Sequence, residues 1–114
     1  MSLTVIIPIK DEEKVIKNTL SAFNNSWIKN INHEILFIND YCQDDTINII
    51  QNSKFDELNV QVKHNTKRGL GSAIIEGINH SSKQFVCIFM ADMSDDIEDL
   101  KTYYENINND ENLD

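Results

Sequence analysis

The sequence has few of the residues that mark disulfide-rich, fibrous or nucleic-acid-binding proteins. Its 114 residues include two cysteines, three glycines and one proline, and ten lysines and arginines face nineteen acidic residues. Cys42 and Cys87 match no zinc or redox spacing, which favours reduced thiols. The net charge of -9 argues against a general nucleic-acid binder, because such a protein needs a basic face to meet phosphates.

Long hydrophobic runs are also missing. The longest apolar runs have about six residues, which is too short to span a bilayer, and no signal peptide is recognisable. We therefore expect a cytoplasmic protein, whose contact with the inner face of the cell membrane, if any, is made by regions outside these residues. The length fits one small domain, which we predict over residues 1–105, followed by a flexible polar tail over residues 106–114.

Four short, β-branched apolar runs alternate with helical patterns. The predicted strands are residues 3–9, 34–38, 59–63 and 84–90. The helical stripes are Ile16, Leu20, Phe23 and Trp27; Ile47, Ile49 and Ile50; Leu70, Ala73, Ile74, Gly77 and Ile78; and Ile97, Leu100, Tyr104 and Ile107. This order predicts an α/β protein, a three-layer α/β/α sandwich around a Rossmann-like, mostly parallel sheet. Because such sheets usually carry more strands, we expect the first part of a longer protein.

Polar segments follow each predicted strand, at residues 8–13, 39–46, 64–71 and 91–96. Parallel topology brings the carboxyl ends of the strands to one edge of the sheet, where ligands bind. In the first segment, Pro8 is expected to end its strand and Asp11 to cap the next helix, with Glu12 and Glu13 in the first turn. The alternative is that Glu12 accepts hydrogen bonds from a ligand and Lys10 lies near phosphates.

The second and third segments carry a carboxylate and two cations. Asp40 directly follows a buried strand, where a carboxylate can accept hydrogen bonds from ribose hydroxyls or a base amine, whereas Asp44 fits a helix N-cap. Lys67 and Arg68 precede a glycine-bearing entry to a helix, and a helix N-terminus with nearby cations favours an anion such as a diphosphate. A tight turn with a close-packed helix is the alternative for this third segment.

The fourth segment holds three acids within five residues. Asp95 and Asp96 can cap the helix that follows, whereas Asp92 comes earlier and should project into the edge of the sheet. Mg²⁺ or Mn²⁺ bridging Asp92 and a diphosphate is chemically sensible, because these ions share ligands between protein and substrate phosphates. The same ion would offset repulsion between an anionic nucleotide and this acidic chain.

Taken together, the four segments resemble those of the family-two inverting glycosyltransferases, in order and in spacing. The matching strings are Val5-Ile6-Ile7-Pro8-Ile9-Lys10-Asp11-Glu12-Glu13; Glu34-Ile35-Leu36-Phe37-Ile38-Asn39-Asp40 with Asp44 and Thr46; Arg68-Gly69-Leu70-Gly71-Ser72-Ala73 with Gly77; and Phe89-Met90-Ala91-Asp92-Met93-Ser94-Asp95-Asp96. They cover nearly the whole chain and are most similar to the branch of dolichyl-phosphate mannosyltransferase, which moves a sugar from a nucleotide onto a polyprenyl phosphate.

The resemblance implies a GT-A fold whose first half binds a nucleotide-diphosphate sugar with a divalent metal. The implied binding residues are Pro8, Lys10 and Glu12 around the nucleoside, Ile38 and Asp40 at base and ribose, Arg68 in the third motif, Asp92 on the metal, and Ala91 and Met93 beside it. The acceptor is expected to be a polyprenyl phosphate, a polysaccharide or a protein glycan. The family's general base lies downstream of Asp114, so no catalytic residue is assigned within the chain.

Three positions depart from the family pattern. Lys10 stands where an aromatic residue is frequent, Asn39 replaces the first acid of the second motif, and Met90 replaces the first acid of Asp-x-Asp. Three alternatives therefore stay open: a sugar-phosphate nucleotidyltransferase, a phospho-receiver domain, and a non-catalytic nucleotide- or protein-binding module. The first lacks its usual glycine-rich loop after the first strand, and the second lacks an Asp after the third strand.

Overall fold

The computed structural model describes residues 2–92 and 96–113, with side chains as far as residue 107, and within them strands and helices alternate. The strands are β1 (Ser2–Ile9), β2 (Asn32–Asn39), β3 (Val60–His64) and β4 (Phe85–Ile88). The helices are α1 (Ile16–Asn24), α2 (Thr46–Asn52), α3 (Leu70–His80) and α4 (Ile97–Leu113), and a 3₁₀ helix, Trp27–Asn30, follows α1. The predicted α/β order is confirmed.

All four strands are parallel, in the order β3-β2-β1-β4. The chain moves outward from β1 to β3 and then returns across the sheet to place β4 beside β1. Helices α1, α2 and α4 pack on one face, where Phe23 of α1 meets Phe89 edge to face at 5.1 Å. Helix α3 covers the other face through Ala73. The reversal of direction lies between β1 and β4, and the crevice at such a point is where open α/β sheets bind ligands.

The core is centred on β1, whose residues 3–9 are all buried. Its side chains alternate between the two faces, so that Ile7 joins the larger cluster and Ile6 the smaller one. A strand covered on both faces needs apolar residues at successive positions, which is why the first predicted strand is apolar everywhere except at Thr4, whose buried hydroxyl donates to Glu34.

Helix α3 confirms part of its predicted stripe. Only Ala73 and Gly77 of α3 are buried, whereas Leu70 is 52% and Ile78 49% exposed. A Cβ atom built on Gly77 would lie 2.5 Å from Cγ2 of Ile6. The helix therefore approaches β1 through its smallest residues, and the larger ones are left at the flanks of the contact.

Two other boundaries differ from the sequence prediction. Helix α1 ends at Asn24, so Trp27 lies in the 3₁₀ helix, where its indole N–H donates to the carbonyl of Ile97 at 3.1 Å. Helix α4 continues without a break across residue 105, where a polar tail was predicted to begin; the flexibility of that tail stays a prediction.

Among the described residues, no helix is both long and apolar enough to cross a membrane.

Candidate functional site

Pro8 shapes the crevice between β1 and β4. The carbonyl of Ile6 accepts from the amide of Phe89 at 2.9 Å, and that of Ile9 accepts from Asp40 at 2.9 Å on the opposite side. Backbone polar groups alternate in direction along a strand, so residue 8 faces the β4 side. The prediction that Pro8 ends its strand is therefore wrong: β1 continues to Ile9, and Pro8, which has no N–H, ends only the pairing toward β4.

Beyond Pro8 the two strands separate around a cleft of about 260 Å³. Its lining residues are Pro8, Ile9, Lys10, Glu12, Asp40, Leu70 and Met90. The structure thus brings four of the predicted nucleotide-binding residues, Pro8, Lys10, Glu12 and Asp40, to one concave surface. They come from the carboxyl ends of β1 and β2, as parallel topology requires.

Carboxylates crowd the edge of this cleft. Burial raises the pKa of Glu12, and the negative charges of Asp92, Asp44 and Asp11 raise it further. The loop that presents Asp92 is anchored one residue earlier, where the buried Thr19 hydroxyl donates to the carbonyl of Ala91 at 2.6 Å. Glu12 and the exposed Asp92 are therefore hard oxygen donors that repel each other, and a divalent cation between them would remove the repulsion.

Asp40 contacts the turn that leads into α3. Its Oδ1 atom accepts from the side-chain amide of Asn65 at 3.0 Å and from the backbone amide of Gly69 at 3.1 Å. Gly69 has a φ of 120°, which disfavours any residue with a Cβ atom. The α3 N-terminus was predicted to bind a diphosphate. In the structure its Gly69 amide is hydrogen-bonded to the carboxylate of Asp40. Asn65 was missed by sequence reasoning, because nothing in a polar loop marks one amide as buried.

Tyr41 contacts two cations, of which Lys10 lines the cleft. The Lys10 ammonium donates to the Tyr41 carbonyl at 2.7 Å and lies 3.8 Å from a carboxylate oxygen of Asp11. The Arg68 guanidinium lies over the Tyr41 ring, 4.3 Å from its centroid, in a cation–π contact. Tyr41 itself has a φ of 59°, unusual for a residue other than glycine. Sequence analysis chose both cations but missed the tyrosine, which carried no motif signal.

The loops after β1 and β2 are tied together by their own carboxylates. Asp11 Oδ1 accepts from the amides of Gln43 and Asp44, and Asp44 Oδ2 accepts in return from the amide of Glu13. The prediction that Asp11 caps α1 is wrong, since that helix begins at Ile16 and its N-cap residue is Val15, which makes no side-chain cap. Asp11 instead accepts from backbone amides of the loop after β2.

Asp44 and Cys42 accept further hydrogen bonds in the same pair of loops. Asp44 Oδ1 accepts from the amide of Thr46, and the Thr46 hydroxyl accepts from the amide of Glu12 at 2.8 Å. The amide of Asp11 donates to the Cys42 sulfur at 3.3 Å, and burial raises the pKa of this thiol. Ligand atoms of Asp11, Cys42 and Asp44 lie within 4.8 Å of one another. Since backbone amides already bind them, we interpret these three side chains as the link that fixes the position of Glu12.

Two predicted ligand contacts are not accessible from the cleft. Ile38 is 0% exposed in the cluster beneath α3, and Ala91 is 1% exposed in the cluster beneath α1. Their side chains serve the core, because helices cover both faces of the sheet at these positions. Met93 and Asp95, also proposed from sequence, lie outside the described residues.

Comparisons with known proteins agree with this architecture. The family model described as Glycosyl transferase family 2 matches residues 4–113. A probable glycosyltransferase of Bacillus subtilis, YdaM, is 30% identical over 106 residues, which are 90% of this chain and 25% of that protein. A Methanococcus voltae protein, dolichyl N-acetyl-alpha-D-glucosaminyl phosphate 3-beta-D-2,3-diacetamido-2,3-dideoxy-beta-D-glucuronosyltransferase, is 30% identical over 105 residues, 90% of this chain and 33% of the relative. The chain thus spans a quarter to a third of these relatives.

Solved structures share the fold. Residues 1–349 of S. aureus TarS, in complex with UDP-GlcNAc, superimpose with a TM-score of 0.78 at 23% identity, covering 96% of this chain and 32% of that TarS fragment. The mannosyltransferase PcManGT of Pyrobaculum calidifontis, in complex with GDP-Man and Mn²⁺, gives a TM-score of 0.70 at 21% identity over 79% of this chain and 27% of its own. The predicted GT-A fold is confirmed, and with the family model spanning nearly every residue, the chain belongs to glycosyl transferase family 2.

Proposed function

We propose that this chain is the donor-binding part of a glycosyltransferase and that it binds a nucleotide-diphosphate sugar at the β1–β4 crevice with Mg²⁺ or Mn²⁺. The observation that carries the proposal is the environment of Glu12, which lines the cleft: burial raises its pKa, and the charge of Asp92 raises it further. Family membership supports the substrate class, and the nucleotide sugars named in the TarS and PcManGT complexes are of that class.

The described residues fit such a metal. Asp92 and Glu12 offer carboxylate oxygens, the donors that Mg²⁺ and Mn²⁺ prefer, and we assign the primary contact to Asp92. When bound, the cation neutralises charge on the leaving diphosphate. The same crowding of carboxylates favours a cation here, since a positive charge beside these groups favours their ionised forms.

The remaining side chains of the cleft bind and orient the donor. Asp40 accepts hydrogen bonds from the nucleoside, while Lys10 and Arg68, both held by Tyr41, place positive charge toward the diphosphate. Pro8 keeps the crevice open by ending the pairing toward β4. These roles position the donor and leave acceptor activation to a base outside this chain.

The reaction we propose for the whole protein is transfer of the sugar with inversion at the anomeric carbon. A base beyond residue 114 takes the proton of the acceptor hydroxyl or phosphate, and attack from the side opposite the nucleotide releases the nucleoside diphosphate. A polyprenyl phosphate is the proposed acceptor class. Its support is the dolichyl phosphate conjugate named as the substrate of the Methanococcus voltae relative.

Isothermal titration with UDP and GDP, in Mn²⁺ or in EDTA, tests the donor site. We expect binding in Mn²⁺ and little in EDTA, and Asp92→Asn should raise the dissociation constant at least about tenfold, because a lost carboxylate ligand typically costs more than 1.4 kcal/mol. Asp56→Asn, an exposed acid on the loop before β3, is the matched control and should not change affinity.

Two results would contradict the proposal. One is a folded chain that binds neither nucleotide in Mn²⁺. The other is binding that is independent of metal and equal in the wild type and Asp92→Asn.

A further inference from the structure

Asn65 stands out in the segment that joins β3 to α3. Its side chain is 5% exposed, whereas residues 66–71, which follow it, are all exposed. An amide is costly to bury unless its polar atoms are hydrogen-bonded, so a buried asparagine in an exposed loop has partners that explain its burial.

Those partners use the donor and acceptor atoms of the amide group. Nδ2 donates to Oδ1 of Asp40 at 3.0 Å and to the carbonyl of Gly69 at 3.2 Å. Oδ1 accepts from the hydroxyl of Ser72 at 3.1 Å. The backbone amide of Asn65 donates to the carbonyl of Asn39, the residue before Asp40, at 2.9 Å. A side chain that donates twice and accepts once at this length is an asparagine, because aspartate lacks the donors.

The result is a carboxylate held from two directions. Asp40 Oδ1 accepts from both Asn65 and the amide of Gly69, and the carbonyl of the same Gly69 accepts from Asn65. Rotation of the Asp40 carboxylate would break bonds to both. Asp40 also lines the cleft, so its orientation toward a ligand is fixed before the ligand arrives. Such preorganisation lowers the ordering cost of binding.

We propose that Asn65 is a positioning residue, which orients Asp40 and the Gly69 turn for recognition of the nucleoside portion of the donor. This inference rests on the proposed function, since it assigns Asp40 to the nucleoside. It goes further in separating two parts of the site: Asn65 governs the nucleoside end through Asp40, and the metal end at Asp92 is independent of it.

The test compares Asn65→Asp with the wild type in Mg²⁺, using UDP and GDP on one hand and inorganic pyrophosphate on the other. Aspartate keeps the shape but replaces both donors with acceptors beside the Asp40 carboxylate. We expect the dissociation constant of the preferred nucleotide to rise about tenfold, the usual scale for a lost hydrogen bond to a charged group. The dissociation constant of pyrophosphate should stay within about twofold. Thr66→Ala, at the exposed neighbouring position, is the control and should change neither.

A second readout needs no ligand. The Gly69 amide cross-peak in a ¹H–¹⁵N spectrum should shift in Asn65→Asp and exchange its proton faster. If that variant fails to fold, Ser72→Ala is tested by the same measurements. It removes the hydroxyl that donates to Asn65, so the amide group of Asn65 is free to rotate, but both of its N–H donors remain. We expect a Gly69 shift and a two- to threefold rise in the nucleotide dissociation constant, about half a kcal/mol.

The outcomes separate this inference from the proposed function. A folded variant with an unchanged Gly69 signal and an unchanged nucleotide affinity overturns the positioning role. Equal loss of affinity for nucleotide and pyrophosphate also overturns it, because that result would mean a general structural defect. A wild-type chain that binds no nucleotide overturns the proposed function, whereas a Gly69 shift in the variants would still support the Asn65–Asp40 link.

Discussion

Two glutamates at opposite ends of the same sheet have opposite surroundings. Glu34, near the start of β2, is 4% exposed and accepts from the Thr4 hydroxyl at 2.7 Å and from the amide and hydroxyl of Ser82 at 2.6 and 3.0 Å. Burial raises its pKa, but these hydrogen bonds and the charge of Lys83 outweigh burial, so the pKa of Glu34 is lowered. At the other end, burial and neighbouring carboxylates raise the pKa of Glu12.

The difference separates a structural carboxylate from a functional one. Glu34 joins β1, β2 and the loop before β4, and hydrogen bonds to the ionised form stabilise the fold. Glu12 lies among other acids whose charges oppose its ionisation, which costs stability until a cation offsets it. Acids of the second kind, whose pKa is raised by burial and neighbouring charges in a cleft, are candidates for binding sites. The predictions below test whether the two ends differ in this way.

Replacing Glu34 should have the largest effect on folding. Glu34→Leu leaves the buried Thr4 hydroxyl without its acceptor and removes the charged hydrogen bonds from Ser82, and we expect it to lower the free energy of unfolding by about 3 kcal/mol. Glu12→Gln should be neutral or slightly stabilising in metal-free buffer, because it removes repulsion. Urea denaturation of both variants measures the difference.

Glu105→Leu, at an exposed position of α4, is the control for the change of residue type and should stay within about 0.5 kcal/mol of the wild type. Equal destabilisation by the substitutions at Glu34 and Glu12 would remove the distinction between the two ends.

The pH dependence of stability should show a smaller effect with opposite signs. The folded pKa of Glu34 is lowered, so its contribution is present above the ordinary glutamate value of 4.5 and is lost as the pH falls through the folded value. The folded pKa of Glu12 is raised, so its penalty is present at neutral pH and is relieved as the pH falls through that raised value, above 4.5.

Unfolding measured from about pH 7 to about pH 3 in wild type, Glu34→Gln and Glu12→Gln tests both signs. Glu34→Gln should reduce the loss of stability that the wild type shows below pH 4.5. Glu12→Gln should remove the gain in stability that the wild type shows as the pH falls from neutral toward 4.5. A Glu12→Gln profile that is parallel to the wild type throughout would show that the acids at the cleft do not interact.

Local patterns predicted most of the fold. The apolar run of β1 and the polar segments after each strand gave the element order and the edge at which ligands bind, because parallel topology leaves few alternatives. The α3 stripe was right in part: it contains the two buried residues, Ala73 and Gly77, but also Leu70 and Ile78, which close packing of Gly77 on Ile6 leaves about half exposed. Which side of a helix faces a sheet depends on shape as well as hydrophobicity.

The site was less predictable, because its contacts join residues far apart in sequence. Asp11 and Asp44 resemble caps of their own helices, yet Asp11 accepts from a loop 32 residues away. Ile38 and Ala91 lie in motif positions, but helices cover both faces of the sheet there, so both side chains are buried in the core. Asn65 carried no signal, since only the position of Asp40 explains its burial.

Paramagnetic broadening by Mn²⁺ tests the central claim, that the carboxyl edge of the sheet binds a metal–nucleotide complex and the amino edge does not. Glu34 and Asp40 lie six residues apart on or just beyond β2, roughly 20 Å at the rise of an extended strand. With the nucleotide that binds and a trace of Mn²⁺, amide signals of Glu12, Asp40 and Asp92 should broaden, those of Glu34 and Ser82 should stay sharp, and Asp92→Asn should abolish the effect. Broadening centred on Glu34, or broadening that persists unchanged in Asp92→Asn, would contradict the account.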